Sequence, residues 1–199
     1  MKIAIKKLLG AIRTRFGVLC AGSSLRIIVG SANTGQKGWV STDYPVLDLT
    51  DETSFASFLK LSSVDNFLAE HVWEHLEPTD AEKALRNCYM HLKSGGRIRI
   101  AVPDGFHPDP DYINQVKPGG YGSGADDHRV LYDFRTLSAI MTAAGFHVKL
   151  LEWFDEEGQF HFEQWSAEDG MVKRSTRYDS RNSKTPTTYT SLIIDGIKP

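Results

Sequence analysis

The sequence predicts an α/β fold, a doubly wound and mostly parallel sheet with helices on both faces. Three observations carry this. Short apolar runs rich in β-branched residues alternate with stretches of helical periodicity. Those runs end in small or acidic residues, as strand tips do in such sheets. Finally, 199 residues with 41% apolar and 24% charged side chains suit one domain, residues 1–199, with a core of its own.

The elements follow in order. Residues 1–22 read as a basic helix; residues 1–42 hold seven Lys or Arg and no Asp or Glu, against 16 basic and 25 acidic residues in the remainder. Lys6, Lys7, Arg13 and Arg15 interrupt any signal-peptide core. The helix is expected as a solvated element on the domain edge, with a weak membrane-surface or acidic-partner contact as the alternative. Residues 25–29, Leu-Arg-Ile-Ile-Val, form a first strand between Gly22-Ser-Ser24 and Gly30-Ser31. Residues 39–42 give a second strand, ending at Asp43, and residues 46–49 a short third around Asp48. A helix over 54–61 and a fourth strand over 64–69 follow, and the spacing of Val72, Leu76, Ala84, Leu85, Cys88 and Leu92 is helical, broken at Pro78. Ser94-Gly-Gly96 is a turn before a fifth strand over 97–102. Residues 103–132, rich in Pro, Gly and Asp, make a long loop of the kind that serves a site. A helix over 133–144 stops at Gly145, and residues 146–153 and 189–194 give two late strands with no helix evident between them, an antiparallel pair.

No apolar run approaches the roughly 18–20 residues that span a bilayer. Cys20 and Cys88 lie far apart and read as reduced thiols, which suits a cytoplasmic protein. A pI near 6.4, with no basic patch among aromatics, argues against nucleic acid.

In this architecture ligands bind at the strand tips. The loop after the first strand, Gly30-Ser-Ala-Asn-Thr-Gly35, is not a P-loop, since Gln36 separates Gly35 from Lys37. Nor is it a dinucleotide fingerprint, because Ala32 stands where the middle glycine would admit a pyrophosphate. S-adenosylmethionine has no pyrophosphate, and a looser loop can hold it. Asp43, at the second tip, has the two oxygens that accept both ribose hydroxyls.

The order of the Gly30 loop, Gly38-Trp-Val-Ser-Thr-Asp43, Ala69-Glu-His-Val-Trp-Glu-His-Leu76, Leu92-Lys-Ser-Gly-Gly-Arg97 and Val102-Pro-Asp104 resembles class I S-adenosylmethionine-dependent methyltransferases. Within them it resembles a small group of uncharacterised predicted methyltransferases, sharing Asp127-His-Arg-Val-Leu-Tyr132, Arg174-Ser-Thr-Arg-Tyr-Asp-Ser-Arg-Asn182 and Tyr189-Thr-Ser-Leu-Ile-Ile-Asp195. The resemblance covers residues 25–199. It implies a Rossmann-like, seven-stranded sheet with an antiparallel last strand. It further implies S-adenosylmethionine as cofactor, held by Gly30, Ser31, Ala32, Asp43, Asp48, Glu70 and His71, and a small-molecule acceptor such as a sugar or other metabolite. His71, Glu74 and His75 also spell H-x-x-E-H, a zinc-peptidase spacing. His71 follows a buried strand and Pro78 comes three residues after His75, which leaves no room for a zinc helix, so no metal is expected.

If the acceptor is a hydroxyl or amine, a base assists transfer; His71, His128 and Asp104 are the candidates, with His107 less favoured. His128 also reads as a capping or loop-anchoring histidine. Arg174, Arg177 and Arg181, near Tyr178, suit an anionic acceptor or, preferably, an ion-pair network through Asp179. Trp153, Phe154, Phe160, Phe162 and Trp165 read as core before acceptor pocket. Two other readings stay open: a non-catalytic binding module of the same fold, suggested by Ala32, and a nicotinamide-dependent oxidoreductase.

Overall fold

A computed structural model describes residues 2–32, 34–183 and 189–199. Asn33 of the first loop, and the side chains of Lys6 and Lys7, lie outside the described residues. The α-helices among the described residues are α1 (Lys2–Cys20), α2 (Glu52–Ala56), α3 (Pro78–His91), α4 (Pro110–Val116) and α5 (Phe134–Ala143). The strands are β1 (Arg26–Val29), β2 (Val40–Ser41), β3 (Val64–Glu70), β4 (Leu92–Val102), β5 (His147–Phe154), β6 (Phe160–Phe162) and β7 (Leu192–Ile197).

They form one seven-stranded sheet in the order β2-β1-β3-β4-β7-β5-β6. β2, β1, β3 and β4 run parallel, and β7 lies antiparallel between β4 and β5. The late strands thus pair as expected. The seven are not the expected seven, however. Residues 46–49 form no strand: Pro45 has no N–H for a ladder, and the chain turns instead, Val46 and Leu47 N–H donating to the Asp43 carbonyl. β6 replaces it in number, forming a hairpin with β5 over a turn in which Asp155 accepts from the Glu157 and Gln159 amides.

Alternation along the strands separates two cores. Ile27, Val29, Phe67, Ala69, Ile98, Ile100, Leu192 and Ile194 face one side, against Phe55 of α2, Leu85 of α3 and Leu137 and Met141 of α5. Ile28, Leu68, Ala101 and Ile193 face the other. Helices cover the first side. The second is covered by an extended strap, residues 163–172, which lays Trp165 and Val172 on the sheet. Burial on both faces is why β1 is an apolar run after Arg26, and why β3 and β4 turn apolar toward their carboxyl ends, at Phe67–Ala69 and Ile100–Val102.

Local signals fix the helix ends. Pro78 starts α3, where a missing N–H costs nothing. Asp133 and Thr136 cap α5 reciprocally, and Gly145 follows its end at φ +101°. α1 lies along the edge strand β2 through Gly10, Thr14 and Gly17; a Cβ on Gly10 would sit 2.6 Å from Val46. Its outer face shows Leu8, Leu9, Ile12, Phe16 and Leu19. No helix among the described residues is long and apolar enough to cross a membrane.

The stretch 103–132 is not structureless. It holds α4 and a 3-10 turn, Ala125–Asp127, and opens on Asp104, which is fully buried. Asp104 accepts from the Phe106 and Phe154 amides at 3.0 and 2.8 Å. Burial pushes its carboxyl from 3.8 up to about 6, against the downward pull of those two amides. A carboxyl raised in the folded state binds its proton more tightly there than when unfolded. It therefore stabilises the fold below the unfolded value, and that gain is lost as pH rises through about 6. We expect wild type to lose up to about 3 kcal/mol relative to Asp104→Asn between about pH 4 and about pH 7, apart from a constant offset. Urea unfolding of both proteins across that range checks it; a pH-independent difference would refute it.

Candidate functional site

The chain order reverses between β1 and β3: β2 lies on one side of β1, and the chain then returns to place β3 on the other. Loops leaving the two strands diverge there, opening a crevice at their carboxyl ends. A cleft of about 550 Å³ lies at this point.

One wall is the turn after β1. Gly30 and Ala32 both have positive φ, +60° and +43°. The turn is tied to β2 by Ser31 N–H to the Thr42 carbonyl (3.0 Å) and Thr42 N–H to the Ile28 carbonyl (2.8 Å). Asp43 braces it, accepting from Ser31 Oγ at 2.7 Å and from the Ala32 amide at 2.8 Å.

The opposite wall is the tip of β3. Glu70 accepts from the Lys173 and Arg174 amides at 3.1 and 2.8 Å, drawing the chain after the strap over the tip. His71 follows at φ +56°, a conformation that costs a non-glycine residue roughly 1–2 kcal/mol. It is held by its own N–H to the Ala101 carbonyl (2.8 Å), by Nε2 against Ser191 Oγ (2.9 Å), and by Nδ1 lying 2.9 Å from Glu74 Oε1.

The floor comes from farther along. A 3-10 turn, Trp73–His75, buries Glu74 completely. The Arg129 and Val130 amides donate to the Glu74 carbonyl at 2.6 and 3.2 Å, which docks the end of the long segment onto this turn. His128 thereby meets His75 edge-on, ring centroids 4.8 Å apart, and its Nδ1 donates to the Val116 carbonyl at 2.6 Å.

Of the residues expected at the site, Gly30, Ser31, Ala32, Glu70, His71 and His128 line the cleft together. Asp43 stands directly behind the first wall rather than on it. Asp48 and Asp104 do not line it. With no third strand, Asp48 has no tip to occupy and instead accepts from Thr50 N and Oγ1 at 2.9 and 2.8 Å. Asp104 follows Pro103, which does line the cleft, and points the opposite way toward β5. Neither one is placed to touch a ligand there.

The cleft also gathers Glu74, His75, Lys173, Arg174, Arg181 and Tyr189. In the sequence Glu74 and His75 stand out only through the H-x-x-E-H spacing. Arg181 forks onto Asp179, as expected of an ion-pair network in this tail, and its guanidinium carbon lies 3.2 Å over the Tyr189 ring. The aromatic set stays out of the cleft: Phe154 and Trp165 are buried in the core and Phe162 is exposed.

The sequence matches no family model and no curated protein. Solved structures do match over nearly the whole chain. A SAM-dependent methyltransferase from Archaeoglobus fulgidus is 18% identical, with TM-score 0.54 over 96% of this chain and 94% of its own. A SAM-dependent methyltransferase from Thermotoga maritima is 15% identical, TM-score 0.54, over 97% and 91%. An S-adenosylmethionine-dependent methyltransferase from Mesorhizobium loti is 10% identical, TM-score 0.54, over 89% and 92%. At such identities the likeness is one of architecture, and on that basis the chain has the Rossmann-like fold of the class I S-adenosylmethionine-dependent methyltransferases.

Proposed function

We propose that the protein is an S-adenosylmethionine-dependent methyltransferase acting on a small-molecule acceptor, with the adenosyl group in the crevice between the tips of β1 and β3. The observation that carries this reading is the cleft at the switch point of strand order, walled by residues 30–32 and by Glu70 and His71. Ala32, on the cleft wall at φ +43°, stands where a dinucleotide fingerprint has the glycine that admits a pyrophosphate. A sulfonium cofactor makes no such demand, so the nicotinamide reading is disfavoured.

The cofactor would supply an activated methyl group, and the chain would have to bind it, align the acceptor and exclude water. Asp43 sets the turn that meets the nucleoside. Glu70 closes the opposite side by holding residues 173–174. His71 is fixed through Nε2 against Ser191, its Nδ1 lying beside Glu74 without a hydrogen bond, and serves as a wall. Among the groups expected on the acceptor side, His128 keeps a ring nitrogen uncommitted, since only its Nδ1 is bonded. Free thiols at Cys20, exposed, and Cys88, buried, support a reducing compartment such as the cytoplasm.

Titration calorimetry tests this reading. S-adenosylmethionine should bind the wild-type chain and NAD should not. Asp43→Ala, which frees the turn by removing two charge-assisted bonds, should weaken binding by about 1–3 kcal/mol, roughly 5- to 150-fold, with the circular dichroism spectrum unchanged. No heat with S-adenosylmethionine at millimolar concentration would overturn the assignment, and equal affinity in Asp43→Ala would remove the turn from it.

A further inference from the structure

We propose that Glu74, His75 and His128 form a binding site for a divalent first-row transition cation at the floor of the cleft. One ligand atom from each lies within 4.8 Å of the others. A cation about 2.1 Å from each ligand spaces them by at most about 4.2 Å, so side-chain rotations of under about an ångström close the set.

Each residue is prepared for this separately. Glu74 is fully buried, yet neither carboxylate oxygen accepts a hydrogen bond. His71 Nδ1 is near Oε1 but out of line for one. A carboxylate buried without donors is costly unless a positive charge meets it. The Nδ1 atom of His75 is likewise buried and without a hydrogen bond, and Asp127 Oδ2 lies 3.5 Å from it, a further oxygen within reach. The Nδ1 of His128 donates to a carbonyl, which can only accept, so the proton is on Nδ1 and the lone pair on Nε2. That is the arrangement by which an outer partner orients a metal-binding imidazole. The two chain segments are locked together by the Arg129 and Val130 amides on the Glu74 carbonyl, so the ligand set is built into the fold.

Two imidazoles and one carboxylate select zinc, manganese, cobalt or iron(II) over magnesium or calcium. The set is not that of an H-x-x-E-H peptidase, for His71 is turned to Ser191 and the third ligand arrives from the far end of the 103–132 segment. It also departs from the expectation of no metal, because nothing local in the sequence brings His128 to His75. Resting on the methyltransferase reading, a cation held there would suit a hydroxyl acceptor, whose oxygen it could bind and whose O–H acidity it would raise. Its O–H proton passes to solvent. The oxygen then attacks the methyl carbon, the C–O bond forming as the C–S bond breaks, and the electron pair returns to sulfur to leave a neutral thioether.

The test uses the full chain, stripped with EDTA, and metal alone. Zn²⁺ or Co²⁺, dialysed in and counted by inductively coupled plasma mass spectrometry, should remain at about one per chain. E74Q and H128A should each weaken retention roughly 10- to 100-fold, and bound Co²⁺ should show visible absorption that both variants lose. Should E74Q fail to fold, H75A, at a half-buried side chain, carries the same expectation. Retention far below one per chain, or equal retention in folded variants, overturns the site. Calorimetry with S-adenosylmethionine on the EDTA-treated protein separates the two claims. Cofactor binding without cation binding sinks this site alone; cation binding without cofactor binding supports the site and sinks the functional reading.

Discussion

Asp195→Ala should lower the unfolding free energy by about 3–5 kcal/mol, measured by urea denaturation. Asp195 on β7 stands opposite Arg99 on β4, and both side chains are essentially without solvent contact. The pair is a two-pronged fork: Nε to Oδ1 and Nη2 to Oδ2, each 2.8 Å. Nη1 then donates to the Ser166 and Gly170 carbonyls at 2.8 and 2.6 Å, and the guanidinium carbon lies 4.8 Å over the Trp165 ring. This one cation therefore joins the sheet to the strap that covers its second face. Removing Asp195 leaves a guanidinium buried with two carbonyls and the Trp165 ring but no counter-charge, which is worse than removing both charges. Arg99→Met/Asp195→Leu should accordingly be less damaged than Asp195→Ala. A loss below about 1 kcal/mol in the single variant would contradict this account of the strap.

Gly30→Ala should lower stability by about 2–5 kcal/mol and S-adenosylmethionine affinity by more than tenfold. Two costs add. At φ +60° an alanine pays about 1–2 kcal/mol for the left-handed backbone. Its Cβ would also fall 2.4 Å from Val72 Cγ2, an overlap of the kind that costs about 1–3 kcal/mol when a packed site must yield. Val72 lies between His71 and Trp73, so relief of the overlap shifts the opposite wall of the cleft as well. Adding Val72→Ala should recover the overlap cost and leave the backbone cost. Urea unfolding and calorimetry on the single and double variants check this; full tolerance of Gly30→Ala would show that the turn is not set as described.

What the sequence made legible is what local forces decide. β1, β3 and β4 read as strands through short runs rich in β-branched and apolar residues, and α3 and α5 read as helices through the spacing of their apolar positions and, for α5, Gly145; Pro78, read as a break in a longer helical stretch, is where α3 begins. The turn at Gly30 was legible because glycine and small residues after a buried strand have few other uses. The expected third strand failed where two leucines on either side of Asp48, Leu47 and Leu49, were buried by turns rather than by a ladder. β6 is three residues long and its pairing depends on the turn at Asp155, too little pattern to detect.

The cleft's contents were harder to read for a physical reason. Glu70 takes its partners from residues 173 and 174, and His71 takes Ser191. The Glu74 carbonyl takes the Arg129 and Val130 amides. Each contact joins segments far apart in sequence, so no spacing rule announces it. Asp43 was placed at the right strand tip, but its two oxygens serve the Gly30 turn, a brace visible only once β1 and β2 are side by side.

The central claim is that the crevice between β1 and β3 receives an adenosyl group. A crystal structure of the chain grown with S-adenosylhomocysteine tests it most directly. The account predicts the nucleoside between residues 30–32 and Glu70, with its sulfur toward His71. A nucleoside bound at any other edge of the sheet, or against Asp48 or Asp104, would contradict it.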